Sequence, residues 1–306
     1  MKRRSFLKSG LGGSLLLTAG AFPMEAFAYY DLEKLTILHT NDVHSRIEPF
    51  PMDGGRNQGL GGAARRAALI RKIRKEEQQV LLLDSGDIFQ GTPYFNFFGG
   101  ELEFKLMSEM KYDAATIGNH DFDAGIEGLH RQLPHANFPF VISNYDFSDT
   151  LMNGKTKAYQ VFQKGMIKVG VFGLGIKLKG LVPENLYKNT LYLNPIKKAN
   201  EMARYLRNEE KCHYVICLSH LGYQYQKDIV SDQVIARESR DIDLILGGHT
   251  HTFLDAPTSA KNKNGKEVLI SQAGWAGIVL GRLDVYFEKS GKKRCVTCQN
   301  SLIADR

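Results

Sequence analysis

From Lys34 onward the chain alternates short apolar runs with stretches of helical periodicity, and that rhythm leaves few folds open. The runs are LTIL (35–38), VLLL (80–83), AATI (114–117), FVI (140–142), YVICL (214–218) and DLIL (243–246). Helical patterns fall between them near 63–78, 102–110, 126–133 and 196–208; the last carries Ile196, Ala199, Met202, Ala203 and Leu206 at helical spacing. Strand, helix, strand in repetition predicts crossover units and a largely parallel sheet, hence an α/β fold. VFQKGMIKVGVFGL (161–174) reads as a hairpin turning at Lys164-Gly165. Beyond Thr252 the character changes: Asn264-Gly265 marks a second hairpin, and IVLGRLDVYFE (278–288) with the strand around Cys295 predicts an antiparallel tail. No internal repeat, low-complexity tract or linker interrupts residues 29–306, which read as one domain. The Gly- and Pro-containing stretch from Ser45 to Gly62 is long for a plain connection, and such loops often rim a site.

The residues directly after these runs are chemically loaded. LTIL leads to Asp42 and His44, VLLL to Asp87, AATI to Asn119, His120, Asp121 and Asp123, YVICL to His220, and DLIL to His249 and His251. In open α/β sheets ligands collect beyond the carboxyl ends of the strands, so five runs converge metal-ligand residue types on one crevice. Carboxylate, imidazole and amide donors without cysteine suit a borderline divalent ion such as Mn, Zn, Fe or Co. Seven candidates, Asp42, His44, Asp87, Asn119, His220, His249 and His251, are too many for one tetrahedral ion and suit two ions sharing a bridging carboxylate. Two such ions, two carboxylates and one hydroxide leave a small net positive charge, which favours a phosphate oxyanion. His39, His130, His135 and His213 read as ordinary core or surface groups, and Asp121 as a supporting or solvated carboxylate.

The first 28 residues are set apart by a basic start (MKRRSFLK), an apolar stretch from Leu11 to Phe22, and Ala26-Phe27-Ala28. Arg3-Arg4 before Ser5-Phe6-Leu7-Lys8 resembles a twin-arginine export signal, so a periplasmic or otherwise extracytoplasmic location is expected, with membrane contact only through export. These residues hold four of the cations and one acid, leaving +4 of the formal +7 for the remainder. That is only mildly basic. The densest basic run, Arg65, Arg66, Arg71, Lys72, Arg74 and Lys75, sits in an expected helix and reads as a solvated face, so no nucleic-acid partner is expected. Cys295 and Cys298 form a C-x-x-C that could close a structural disulfide in an exported protein. Tyr94, Phe95, Phe97 and Phe98 form an aromatic cluster suited to a hydrophobic lid or docking face more than to stacking a base.

Taken in order, Asp42-x-His44, Gly86-Asp87, Gly118-Asn119-His120-Asp121, His220 and Gly248-His249-Thr250-His251 resemble the calcineurin-like metallophosphoesterases. Within them, ILHTNDVHSRIEPF, GGAARRAALI, DSGDIFQGTPYFN and TIGNHDFDAG are similar to the bacterial 5′-nucleotidase family, over nearly all of residues 29–306. The resemblance implies a four-layer αββα sandwich with two mixed sheets. It implies one ion among Asp42, His44, Asp87 and His251, another among Asp87, Asn119, His220 and His249, and Asp87 as the bridge. His120 would be the catalytic imidazole, with Asp123 orienting it, and the reaction an in-line attack of a metal-bound hydroxide on a phosphate monoester, in particular a 5′-nucleotide.

Two departures accompany the resemblance. Many members of that family carry glutamine where this chain has His251, and full-length members carry a second, C-terminal domain that contributes to substrate binding. The chain therefore corresponds to the N-terminal metallophosphatase domain, and a separate C-terminal-domain chain is one expected partner. The alternatives are a two-metal hydrolase of cyclic nucleotides or sulfur esters, and a metal-binding subunit of a split nucleotidase.

Overall fold

A computed structural model describes residues 32–227 and 229–304; the expected export signal lies outside the described residues. In chain order the elements are β1 (Leu32–Thr40), α1 (Ala63–Glu76), β2 (Val80–Asp84), α2 (Pro93–Phe98), α3 (Glu101–Glu109), β3 (Ala114–Ala115), α4 (Gly125–Gln132) and β4 (Tyr145–Asp146). They continue with β5 (Tyr159–Lys164), β6 (Ile167–Leu174), α5 (Glu184–Tyr187), β7 (Leu191–Tyr192), α6 (Pro195–Asn208), β8 (Tyr214–Ser219), α7 (Asp232–Glu238) and β9 (Leu244–Gly247). The tail adds β10 (Thr258–Lys261), β11 (Glu267–Ser271), β12 (Val279–Glu288), β13 (Lys293–Cys298) and β14 (Ser301–Leu302).

Apart from an antiparallel β4–β7 ladder, one sheet runs β13-β12-β1-β2-β3, with β14 paired to β12, and the other runs β10-β11-β9-β8-β6-β5. Both are mixed: β1, β2 and β3 are parallel, as are β6, β8, β9 and β11, while β12, β13, β5 and β10 add antiparallel edges. Side-chain parity explains the layering, because neighbouring residues of a strand face opposite ways. Leu35, Ile37, Leu81 and Leu83 pack with Val169, Val171, Ile216, Leu218, Leu244 and Leu246 in a dry seam between the sheets. Their neighbours Leu38 and Leu82 face outward into a core with Ile70 and Ile73 of α1, Phe104 of α3 and Leu129 of α4. On the far side Phe172, Val215 and Ile245 meet Ala199, Ala203 and Leu206 of α6 and Ile235 of α7. The result is the four-layer αββα sandwich. Ile37 is wholly buried in the central seam, where truncation to Ala costs about 2–5 kcal/mol.

Several elements differ from the sequence reading. FVI (140–142) forms no strand; it makes only single bridges, Phe140 to Ala115 and Val141 to Lys157. AATI shortens to two strand residues because the Thr116 hydroxyl donates to the Val141 carbonyl and the chain then turns into the site. The antiparallel tail is divided between the sheets: β11 joins β9 in parallel, whereas β12 lies antiparallel along β1. The basic face of α1 is not uniformly solvated: Arg66 is 2% exposed, and Arg74 donates to the carbonyls of Met110 and Lys111. Cys295 and Cys298 are an odd number of residues apart on one strand, which turns them to opposite faces; no disulfide joins them. The aromatic cluster forms α2, opened by Pro93 and closed by left-handed Gly99, with Phe95 turned inward onto Phe89 and Phe97 outward. Among the described residues no helix is long and apolar enough to cross a membrane.

Candidate functional site

All seven sequence-derived ligand candidates come together at the carboxyl ends of β1, β2, β3, β8 and β9, where the two sheets present neighbouring loops. Two groups have ligand atoms mutually within 4.8 Å: Asp42, His44 and His251, and Asp87, His220 and His249. Asn119 joins the second through its Oδ1, 2.8 Å from His249 Nδ1. The groups abut, since Asp87 Oδ2 lies 3.8 Å from His44 Nε2 and Asp42 Oδ1 lies 3.9 Å from His220 Nε2.

The backbone makes this convergence at a cost. Asp42, His44, Asp87, His249 and His251 all have φ between 50° and 71°, the left-handed region, which costs an L-residue roughly 1–2 kcal/mol. Main-chain bonds hold them there: Asp42 N–H donates to Gly86 O (2.9 Å), His44 N–H to Asp87 O (3.1 Å), and Ala276 N–H to Asp42 O (2.7 Å). His249 N–H donates to the Asp42 carboxylate at 3.0 Å. Strain maintained by such bonds concentrates at functional sites. Gly118 shows the same closeness: a Cβ there would stand 2.1 Å from Asp87 Oδ1 and 2.5 Å from Asp87 N.

Whether the residues suit divalent ions is tested by their tautomers. His220 Nδ1 lies 2.7 Å from Ser85 O and His44 Nδ1 lies 3.2 Å from Phe89 O. A carbonyl only accepts, so each Nδ1 carries a proton and each Nε2 is aimed inward as a ligand atom. His220 Nε2 is buried, with Asp87 Oδ2 3.1 Å away. The Nε2 atoms of His44 and His251 face each other at 3.1 Å. Adjacent nitrogens on one ion, each about 2.0–2.1 Å from it, stand roughly 3.0–3.4 Å apart. The donor set fits.

In the protein alone two of the donor rings are neutral and one is held protonated. Burial lowers the pKa of His44 and brings that of His249 to about 4, with His220 reinforcing the latter, so both rings are neutral at pH 7. Burial opposes the charged form of His220 too, but the Asp87 carboxylate 3.1 Å away overrides it and raises the pKa to about 10. Burial would raise Asp87, yet His220, His44 and His120 hold it well below the usual carboxylate range.

His120 stands beside the two groups, its ring centroid 5.3 Å from that of His44 and its N–H on Asp87 Oδ1 at 2.8 Å. Asp123 Oδ2 accepts from its Nδ1 at 2.8 Å. That bond raises the His120 pKa against the opposing effect of burial. Asp121 is not solvated: it is fully buried and accepts from the N–H groups of Asp87, Ile88, Phe89 and Gly118 at 2.8–3.1 Å, clamping the β2 loop to the β3 loop. His39 spans the sheets to Ser271, and His130, His135 and His213 lie outside the site.

Sequence reasoning missed the cleft that opens over these groups. A cavity of about 190 Å³ is lined by His44, Arg46, Gln90, Gly91, His120, His251, Trp275 and Ala276. Arg46 belongs to the loop expected to rim a site. Trp275 lies parallel to the His251 ring at 5.6 Å, on a turn where Gly274, Ala276 and Gly277 all have positive φ. The usable signal was the lone tryptophan of the chain set between glycines, AGWAG. A larger surface depression of about 460 Å³ beside Glu127 and Lys188 holds none of the converging donors.

Residues 35–253 match the calcineurin-like phosphoesterase family, and the chain belongs to it. Among its relatives it is 36% identical over 278 residues to a snake venom 5′-nucleotidase of Crotalus adamanteus, covering 84% of this chain and 46% of that protein. It is 32% identical over 299 residues to the 5′-nucleotidase of Homo sapiens, covering 91% of this chain and 50% of that one. The structure of a 5′-nucleotidase precursor from Thermus thermophilus superposes with a TM-score of 0.81 at 33% identity, over 89% of this chain and 55% of that chain. The chain thus spans about half the length of the relatives it matches.

Proposed function

We propose that the protein is a metal-dependent phosphoric ester hydrolase acting on phosphate monoesters of the 5′-nucleotide class. One observation carries this reading: two sets of imidazole and carboxylate donors adjoin each other, and His44 and His251 of the first line the same cleft as His120, which is paired with Asp123. Asp42, His44, His251 and Asp87 would hold one divalent ion; Asp87, Asn119, His220 and His249 would hold the other. When bound, such ions supply charge to phosphoryl oxygens and lower the pKa of a coordinated water toward neutrality. The chain's own residues do the rest. Asp87 holds the two donor sets together, and buried Asp121 fixes the loops that present them. His120, whose protonated form Asp123 favours, donates to a phosphoryl oxygen as its negative charge grows. The relatives named 5′-nucleotidase support the nucleotide class, and residues 1–28 support export to an extracytoplasmic location.

The test is phosphate release from AMP, UDP-glucose, cyclic nucleotides and an aryl phosphate, after chelation and after adding back Mn, Zn, Fe or Co. Release from AMP that vanishes on chelation, returns with metal and disappears in Asp87→Ala is the expected result. Turnover unchanged in Asp87→Ala would sink the two-ion reading.

A further inference from the structure

We infer that Arg46 forms an anion subsite on the open side of the metal donors, where its guanidinium takes a phosphoryl group of the substrate or inorganic phosphate. This rests on the phosphoesterase reading for its substrate, although the geometry stands by itself. Arg46 lies two residues beyond His44 and lines the same 190 Å³ cavity as His44, His120 and His251. Among the described residues no carboxylate pairs with it, and its Nε is buried with no hydrogen-bond partner. The nearby Asp42 and Asp87 carboxylates are instead turned to the histidines.

What holds Arg46 is aromatic. Its guanidinium carbon sits 4.2 Å over the Phe50 ring; Phe50 meets Trp275 edge-on at 5.7 Å, and Trp275 lies flat on His251. Cation–π contact fixes the plane of the guanidinium while consuming none of its N–H donors. An oriented cation whose Nε lacks a partner, on the wall of a cavity, is arranged for a planar two-point contact with an oxyanion, which lysine cannot reproduce. Pockets that enclose whole drug-sized ligands run to about 300–1,000 Å³, so this one holds the phosphoryl end and leaves the alcohol portion outside.

The sole tryptophan makes the subsite directly measurable, because Trp275 is stacked on His251 beside it. Metal-loaded wild-type protein is titrated with inorganic phosphate, following Trp275 fluorescence with calorimetry in parallel, and compared with Arg46→Ala and Arg46→Lys. Loss of one charged, two-point contact weakens phosphate binding by about 10- to 100-fold in Arg46→Ala, with Arg46→Lys between. The KM for a phosphate ester rises by a similar factor, kcat changes less, and the thermal midpoint stays put. Phosphate affinity within twofold of wild type in Arg46→Ala, or wild-type protein that binds no phosphate, overturns the subsite. A wild type that binds phosphate through Arg46 yet hydrolyses no ester leaves the subsite standing and removes the catalytic reading instead.

Discussion

His220 Nε2 and Asp87 Oδ2 lie 3.1 Å apart with both side chains essentially sealed from solvent, so in the metal-free protein they share a proton across the position a cation would take. The histidine pKa, about 10 against an ordinary 6.5, makes that proton an obligate leaving group when a divalent ion binds. Calorimetric metal titrations at pH 7 to 8 are therefore expected to release about one proton from this pair, so the observed enthalpy depends on the buffer's ionisation enthalpy. Affinity should rise with pH until the pair is deprotonated. The linkage also runs the other way: a raised folded-state pKa stabilises the metal-free fold fully below pH 6.5, and that contribution fades as pH climbs through about 10. Buffer-independent enthalpies would contradict this arrangement.

The His120–Asp123 contact makes a separate pH prediction. Because Asp123 raises the His120 pKa, Asp123→Asn lowers it, and a reaction needing the protonated ring loses activity at a lower pH. The alkaline limb of the kcat/KM profile should move to lower pH in Asp123→Asn while the acid limb stays. His120→Ala should lose about 10²–10⁴-fold in kcat with little change in metal content. Coincident alkaline limbs in wild type and Asp123→Asn would remove the orienting role.

Gly118 is a point of close approach between the β2 and β3 loops. Its missing Cβ would stand 2.5 Å from Asp87 N, so Gly118→Ala must push the backbone of one loop off the other rather than rotate a side chain. Metal affinity is expected to fall by about 10- to 100-fold, as it does when groups supporting ligands are disturbed. Retained metal stoichiometry and affinity in this variant would show that the loops can separate without loss.

Legibility in the sequence followed locality. The convergence of the candidate ligands could be read because each lies directly after an apolar run whose strand identity depends on its own residues, as Leu81–Leu83 before Asp87 shows. Parity along those runs also carries the two sheets and three cores. Pairing partners were not local: nothing within 258–288 indicates that β11 goes to one sheet and β12 to the other. Asp121 escaped a role for the same reason, since its four N–H donors come from two loops that approach only in the folded chain. The Arg46, Gln90 and Trp275 cleft assembles three segments distant in sequence, and the left-handed turns at Asp42 and His249 follow from tertiary bonds rather than residue preference.

His39 offers a prediction about stability apart from the site. It crosses between the sheets, with Nε2 3.1 Å from Ser271 Oγ, Nδ1 unpartnered, and its ring against Gly281, the residue opposite it on β12. Full burial lowers its pKa to about 4, so between pH 6.5 and 4 the unfolded chain takes up a proton that the folded chain refuses. Its contribution is complete above pH 6.5 and is lost as pH falls through about 4. The shift corresponds to at most about 3 kcal/mol. Chelated wild type and His39→Gln, compared by urea unfolding from pH 7.5 to 4, should therefore converge, the wild type losing about 3 kcal/mol more across the window than the variant. Comparing slopes rather than absolute stabilities cancels whatever the substitution does to packing at neutral pH. Parallel curves would mean that His39 accepts its proton without opening the sandwich, and the seam between the sheets would then be wetter than its burial indicates.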